Sequence, residues 1–83
     1  MTRKILYKSS VGQDLKHIES KSKEKILSQI RTALADNPRS GEPLHGEFQG
    51  LLKIRVGDHR VIHSVIGEDV LILRIRHRSK VYS

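Results

Sequence analysis

The spacing of apolar residues changes period twice along the chain. From Arg3 to Lys8, Ile5 and Tyr7 alternate with Lys4, Leu6 and Lys8, the two-residue period of a short strand. Beyond Ser10 the period lengthens. Val11, Leu15 and Ile18 fall at i, i+4 and i+7 on one helical face, and Ser10 with Gln13 three residues on predicts a capping box at its start. Ser20-Lys21-Ser22 interrupts that face. Ile26, Leu27, Ile30, Ala33 and Leu34 then stripe a second helix running to about Asp36. Asn37-Pro38 ends it, because the residue before a proline avoids the α region.

Both prolines and three glycines lie between Pro38 and Gly50, which predicts a connecting loop, with Leu44 and Phe48 tucking it onto the core. The strand period returns over 51–56, 59–66 and 70–77, with Gly57-Asp58 and Gly67-Glu68-Asp69 as turns. The order is β-α-α-β-β-β. It predicts a small single α+β domain over 1–83, a twisted antiparallel sheet with two N-terminal helices packed on it.

Strand parity then places the charge. A two-residue turn at Gly57-Asp58 sets Val56 opposite His59, Arg55 opposite Arg60 and Lys53 opposite Ile62, so Lys53, Arg55 and Arg60 share a face. Leu52, Ile54, Val56 and Val61 take the core face. In the last hairpin, a three-residue loop over 67–69 sets Ile66 opposite Val70 and puts Arg74 and Arg76 beside Arg60. A two-residue turn there would invert the assignment and bury the arginines, which is costly; the expectation is therefore the three-residue loop and a single cationic face. Such a surface suits a polyanion.

Composition narrows the classes. The chain has 83 residues, 36% of them hydrophobic, enough for one small core. It has no cysteine, which rules out a disulfide, a Cys-based metal site or a Cys nucleophile. Met1-Thr2-Arg3-Lys4 is basic, but no apolar stretch of signal-peptide length follows, and Val70-Leu71-Ile72-Leu73 is too short to span a bilayer. A soluble cytoplasmic protein without membrane contact is expected. The formal net charge of +7 favours an anionic partner.

Other chemistry is thinly signalled. His17 reads as solvated, His45 lies in the loop, and His59, His63 and His77 fall on core parity. No histidine pair has metal-ligand spacing on a shared face, so neither metal nor cofactor is expected. Glu19, Glu24 and Glu47 form no paired carboxylates. Tyr82 is the more informative residue. A phenol with a pKa of about 10 is roughly 0.1% ionised at neutral pH, and neighbouring cations raise that fraction about tenfold per unit of depression. A tyrosine among arginines and lysines is a plausible general base.

Two segments resemble a known family. Leu44-His45-Gly46 followed by Leu52-Lys53-Ile54-Arg55-Val56-Gly57-Asp58-His59-Arg60-Val61-Ile62, and the ending Ile75-Arg76-His77-Arg78-Ser79-Lys80-Val81-Tyr82, are similar to the RelE/ParE superfamily of bacterial toxins. The second segment resembles its RelE-like branch. The resemblance implies the toxin of a type II toxin–antitoxin pair that enters the A site of the 70S ribosome and cuts mRNA without metal, leaving a 2′,3′-cyclic phosphate. It implies Lys53, Arg55, Arg60, Arg76 and Tyr82 as catalytic residues, with Tyr82 the base. Arg74, Arg78 and Lys80 would add RNA or phosphate contacts. Arg55 stands where the best-known member has lysine; an arginine keeps the charge but hardly deprotonates. An acidic, partly disordered antitoxin is the implied protein partner. Two other functions fit the same fold: a ParE-like inhibitor of DNA gyrase, and a non-catalytic ribosome- or nucleic-acid-binding module.

Overall fold

The computed structural model describes residues 4–77. Arg78, Lys80 and Tyr82, three of the residues singled out above, lie outside them. Strand β1 (Ile5–Tyr7) leads into helices α1 (Ser9–Lys16) and α2 (Ser20–Asp36). A two-residue strand β2 (Glu42–Pro43) and a 3-10 turn (Gly46–Phe48) precede the meander of β3 (Leu52–Val56), β4 (His59–Ile66) and β5 (Asp69–His77). The α+β class and the two N-terminal helices are as expected.

The five strands lie in the order β1-β5-β4-β3-β2. Consecutive strands of the meander pair antiparallel, but β1 pairs parallel to β5, so the sheet is mixed and not wholly antiparallel. The reason is topological. Hairpins produce antiparallel neighbours, whereas β1 reaches β5 only after a long crossover that includes both helices, the kind of connection a parallel pair requires.

The start of α1 also differs from expectation. Its N-cap is Lys8, in extended geometry and without a side-chain cap, so the capping box is absent. The Ser10 hydroxyl instead donates to the Leu73 carbonyl at 2.8 Å, fastening α1 to β5. Ser20-Lys21-Ser22, read as an interruption, forms the first turn of α2. That helix ends at Asp36, with Asn37 extended before Pro38. Leu44 is half-buried as expected, but Phe48 is 42% exposed and does not tuck onto the core.

Val11 from α1 and Ile26, Ile30 and Leu34 from α2 pack against Val56, Val61, Val70, Ile72 and Ile75 of the sheet. One sheet face is thereby closed by helices. Residues of opposite parity, including Arg55, Arg60 and Ile62, belong to the other face.

The last hairpin is the main correction. Ile66 pairs with Asp69 across a two-residue turn, not a three-residue loop. Gly67 has a φ of +64° and no non-glycine residue among those described has positive φ, which fits the type II′ pattern with glycine first. The register then shifts between Ile62 and His63. His63 pairs with Ile72 and Ile62 with Arg74, leaving Leu73 as the extra residue of a β-bulge. Val70, Ile72 and Ile75 are all buried, a 2-then-3 spacing that shows the change of phase. Beyond the bulge Arg60 stands opposite Arg76, the pairing the three-residue loop was expected to produce.

A candidate phosphate-binding sheet face

Arg55 pairs with Arg60, and Arg60 with Arg76, so three arginines stand side by side across β3, β4 and β5. The adjacent row reads Glu42, Lys53, Ile62 and Arg74. Residues directly opposed in such rows have Cβ atoms about 5 Å apart. Among the described residues, no carboxylate lies within ion-pair distance of Lys53, Arg55, Arg60 or Arg76. The arginine row therefore concentrates positive charge, with Glu42 as the one acid set in the adjacent row, at a cost to stability.

Arg74 is held differently. Its guanidinium donates from Nε and Nη2 to the two carboxylate oxygens of Asp14, at 3.1 and 3.0 Å, and the Ile75 amide donates to the same carboxylate at 3.0 Å. Arg74 thus joins β5 to α1, while Arg76, two residues on, has no such acceptor among the described residues.

Glu42 is the residue that sequence reasoning missed. It pairs with Lys53 and lines a small cleft of about 80 Å³ with Lys53, Arg55 and Arg60. A two-residue strand carries almost no periodic signal; Gly41 just before it was the available clue. Gly41 has a φ of +106°, and a Cβ there would collide with the Lys53 carbonyl oxygen. Gly41→Ala is expected to destabilise the protein by about 1–2 kcal/mol and to displace Glu42 from Lys53, visible as changed amide shifts at both positions.

The histidines lie elsewhere. His59 and His77 meet edge-on with ring centroids 5.2 Å apart. Burial, and then His77, lower the pKa of His59, while Asp58 opposes them. With His17 and Gln13 they line a cavity of about 490 Å³ that Arg76 also borders. Tyr7 is away from the cations of the sheet, in a groove with Val11, Leu15 and Arg31. Burial raises its pKa and Arg31 only partly offsets this, so it is poorly suited to be a base. Among the described residues no group of three or more His, Asp or Glu side chains could hold a metal ion. No described helix is long and apolar enough to cross a membrane.

A helix-backed sheet with one cationic face defines the structural class, and comparison with known proteins gives the family. The model of the ParE toxin of the type II toxin–antitoxin system parDE matches residues 5–82. The chain belongs to this toxin family, within the RelE/ParE superfamily. No curated protein sequence matches it. A chain of the RelBE2 toxin–antitoxin complex from Mycobacterium tuberculosis is 25% identical, with a TM-score of 0.84 over 94% of this chain and 100% of that one. The chromosomal ParDE system of P. aeruginosa provides a chain 18% identical at a TM-score of 0.74, covering 92% of this chain and 96% of that one. A mutant of the E. coli toxin RelE in the free state is 16% identical at 0.77, covering 98% and 88%. Both branches share the fold, so membership by itself does not select a target.

Proposed function

We propose that this toxin is a ribosome-dependent mRNA endonuclease. The observation that carries the reading is the row Arg55–Arg60–Arg76 with Lys53 beside it, none of the four in an ion pair with a carboxylate among the described residues. Cleavage requires the ribose 2′-OH to lose its proton, an O2′–P bond to form, and the P–O5′ bond to break with protonation of the leaving oxygen. The products are a 2′,3′-cyclic phosphate and a 5′-OH, with no metal required. Four cations on one rigid face suit the charge that builds on the phosphorane oxygens, the electrostatic contribution that usually dominates such reactions. Tyr82, by resemblance, is the base, and the Glu42 carboxylate is a second proton acceptor at the cleft. Arg78 and Lys80 would extend the phosphate contacts. Alignment of the mRNA by the ribosome would supply the positioning that the isolated protein lacks.

Toxin–antitoxin complexes among the structural relatives support an antitoxin partner for this chain. An acidic segment that orders on the cationic face would suit it.

A gyrase-directed activity is the second reading, favoured by the match to the ParE model. Purified protein added to a translating extract and, separately, to gyrase with supercoiled DNA distinguishes the two. Codon-positioned cuts with 2′,3′-cyclic phosphate ends are expected. Trapped gyrase–DNA cleavage complexes with intact mRNA would establish the ParE reading. Salt-sensitive ribosome binding with neither product would mark a non-catalytic binder.

A further inference from the structure

His63 is the one polar side chain fully buried among the described residues, at 0% exposure. It lies in the central strand β4, paired with Leu52 of β3 and Ile72 of β5, on the helix-facing side. Nε2 donates to the Pro38 carbonyl at 3.0 Å, and Nδ1 has no partner among the described residues. Burying an imidazole with one nitrogen unsatisfied is unfavourable, and an aliphatic residue would fill this core position at lower cost. The arrangement is explained by what the bond holds.

Pro38 opens the connection between α2 and β2. That segment turns tightly, with the Arg39 amide donating to Asn37 Oδ1 and the Ser40 amide to the Asn37 carbonyl. It then runs through Gly41, against the Lys53 backbone, to Glu42 opposite Lys53. His63 is also the last residue paired in phase before the bulge that brings Arg76 opposite Arg60. One residue thus adjoins both features that assemble the cationic cleft, the connection through its side chain and the bulge through its place in the ladder. We propose that His63 is a positioning residue for this cleft, its neutral imidazole clamping the α2–β2 connection so that Glu42 stays opposite Lys53.

The catalytic part of this inference rests on the nuclease reading; the clamp itself does not. The neutral form fits the clamp, because a proton on Nδ1 would have no acceptor. Its strand partners Leu52 and Ile72 are apolar, and burial, partly offset by the Pro38 bond, lowers the His63 pKa with no charged side chain contributing. A base whose folded-state pKa is depressed stabilises the fold fully above its unfolded value of about 6.5. That stability is lost as pH falls towards the folded value, so the clamp should loosen in acid.

The test compares His63→Gln, which presents an amide N–H near the position of Nε2, with His63→Leu, which presents none, both in the full chain. Amide hydrogen exchange at Glu42 and Leu44 reads the clamp. The kcat and KM for mRNA cleavage on ribosomes, between pH 5 and 8, read its consequence. His63→Leu is expected to speed exchange at both amides at least tenfold and to lower kcat at least tenfold with KM within about threefold. His63→Gln should remain near native on both counts at neutral pH and show a shallower acid decline in kcat than the native protein, keeping only the part that protonation of the base imposes on both. Native-rate exchange in His63→Leu, or equal effects of the two substitutions, overturns the proposal. If the native chain cuts no mRNA, the nuclease reading fails and exchange alone decides the clamp. Should His63→Leu not fold, the native protein and His63→Gln decide: a protection factor at Glu42, taken relative to the unfolded-chain rate at each pH, that falls in acid only in the native protein supports the clamp, and the same fall in His63→Gln overturns it.

Discussion

Arg60→Ala should lower mRNA cleavage by about 10²–10³ and relieve growth arrest while leaving the protein as stable as before, or slightly more so. Arg60 is the middle of the row, with Arg55 on one side and Arg76 on the other. Removing it takes away the cation that faces both neighbours, and loss of one preorganised charge stabiliser costs about 10²–10³ in rate. The stability effect has the opposite sign, because like charges directly opposed in a sheet destabilise by a few tenths to about 1 kcal/mol per pair. Arg55→Ala removes an end of the row and should cost less activity. Primer extension on mRNA from induced cells measures cleavage, and urea unfolding measures stability. Cuts of native intensity from Arg60→Ala would end the case for the row as the catalytic surface. Lost activity with markedly lowered stability would show instead that Arg60 serves the fold.

That opposition of signs is why the row was legible in the sequence. A face designed for stability would intersperse acids among its cations, and alternation at Leu52-Lys53-Ile54-Arg55-Val56 exposes the omission without any structure. The pairings Val56–His59, Arg55–Arg60 and Lys53–Ile62 follow from a two-residue turn, and all three are found. The last hairpin was legible only in its result. The cost of burying Arg74 and Arg76 fixed their face, but two backbone devices achieve that: a longer loop or a bulge. Val70-Leu71-Ile72-Leu73 is apolar at every position, so it contains no alternation from which to choose. Long-range hydrogen bonds were hidden for a different reason. Ser10 looks like a cap because its actual acceptor, the Leu73 carbonyl, is 63 positions away. His63 looked partly buried on parity, and nothing local to it announces Pro38. Tyr82, the residue that turned a binding face into a proposed nuclease, lies outside the described residues, and its role rests on resemblance.

Asp14→Ala should produce the largest loss of stability among substitutions near the site. The Asp14 side chain is 11% exposed and Arg74 is 39% exposed. Three donors converge on this carboxylate: Arg74 Nε, Arg74 Nη2 and the Ile75 amide. Truncation leaves all three without their acceptor, immediately after the bulge. Breaking a buried pair by removing one partner costs about 3–5 kcal/mol. Solvent screening of the half-exposed arginine reduces that, and a loss of about 2–3 kcal/mol is expected. For a domain of this size each kcal/mol lowers Tm by roughly 4–8 °C, so Tm should fall by more than about 8 °C. Asp14→Asn keeps an acceptor for the Ile75 amide and should fall between the native protein and Asp14→Ala. Arg74→Ala in both backgrounds closes a double-mutant cycle, and a coupling near zero would refute the ion pair as the anchor. The cycle also separates neighbouring arginines that parity alone treats as equals. Below its melting range, Arg74→Ala should lose stability with most of its cleavage retained, because its guanidinium is committed to α1. Arg76→Ala should lose cleavage with little change in Tm, because its place is in the row with Arg60.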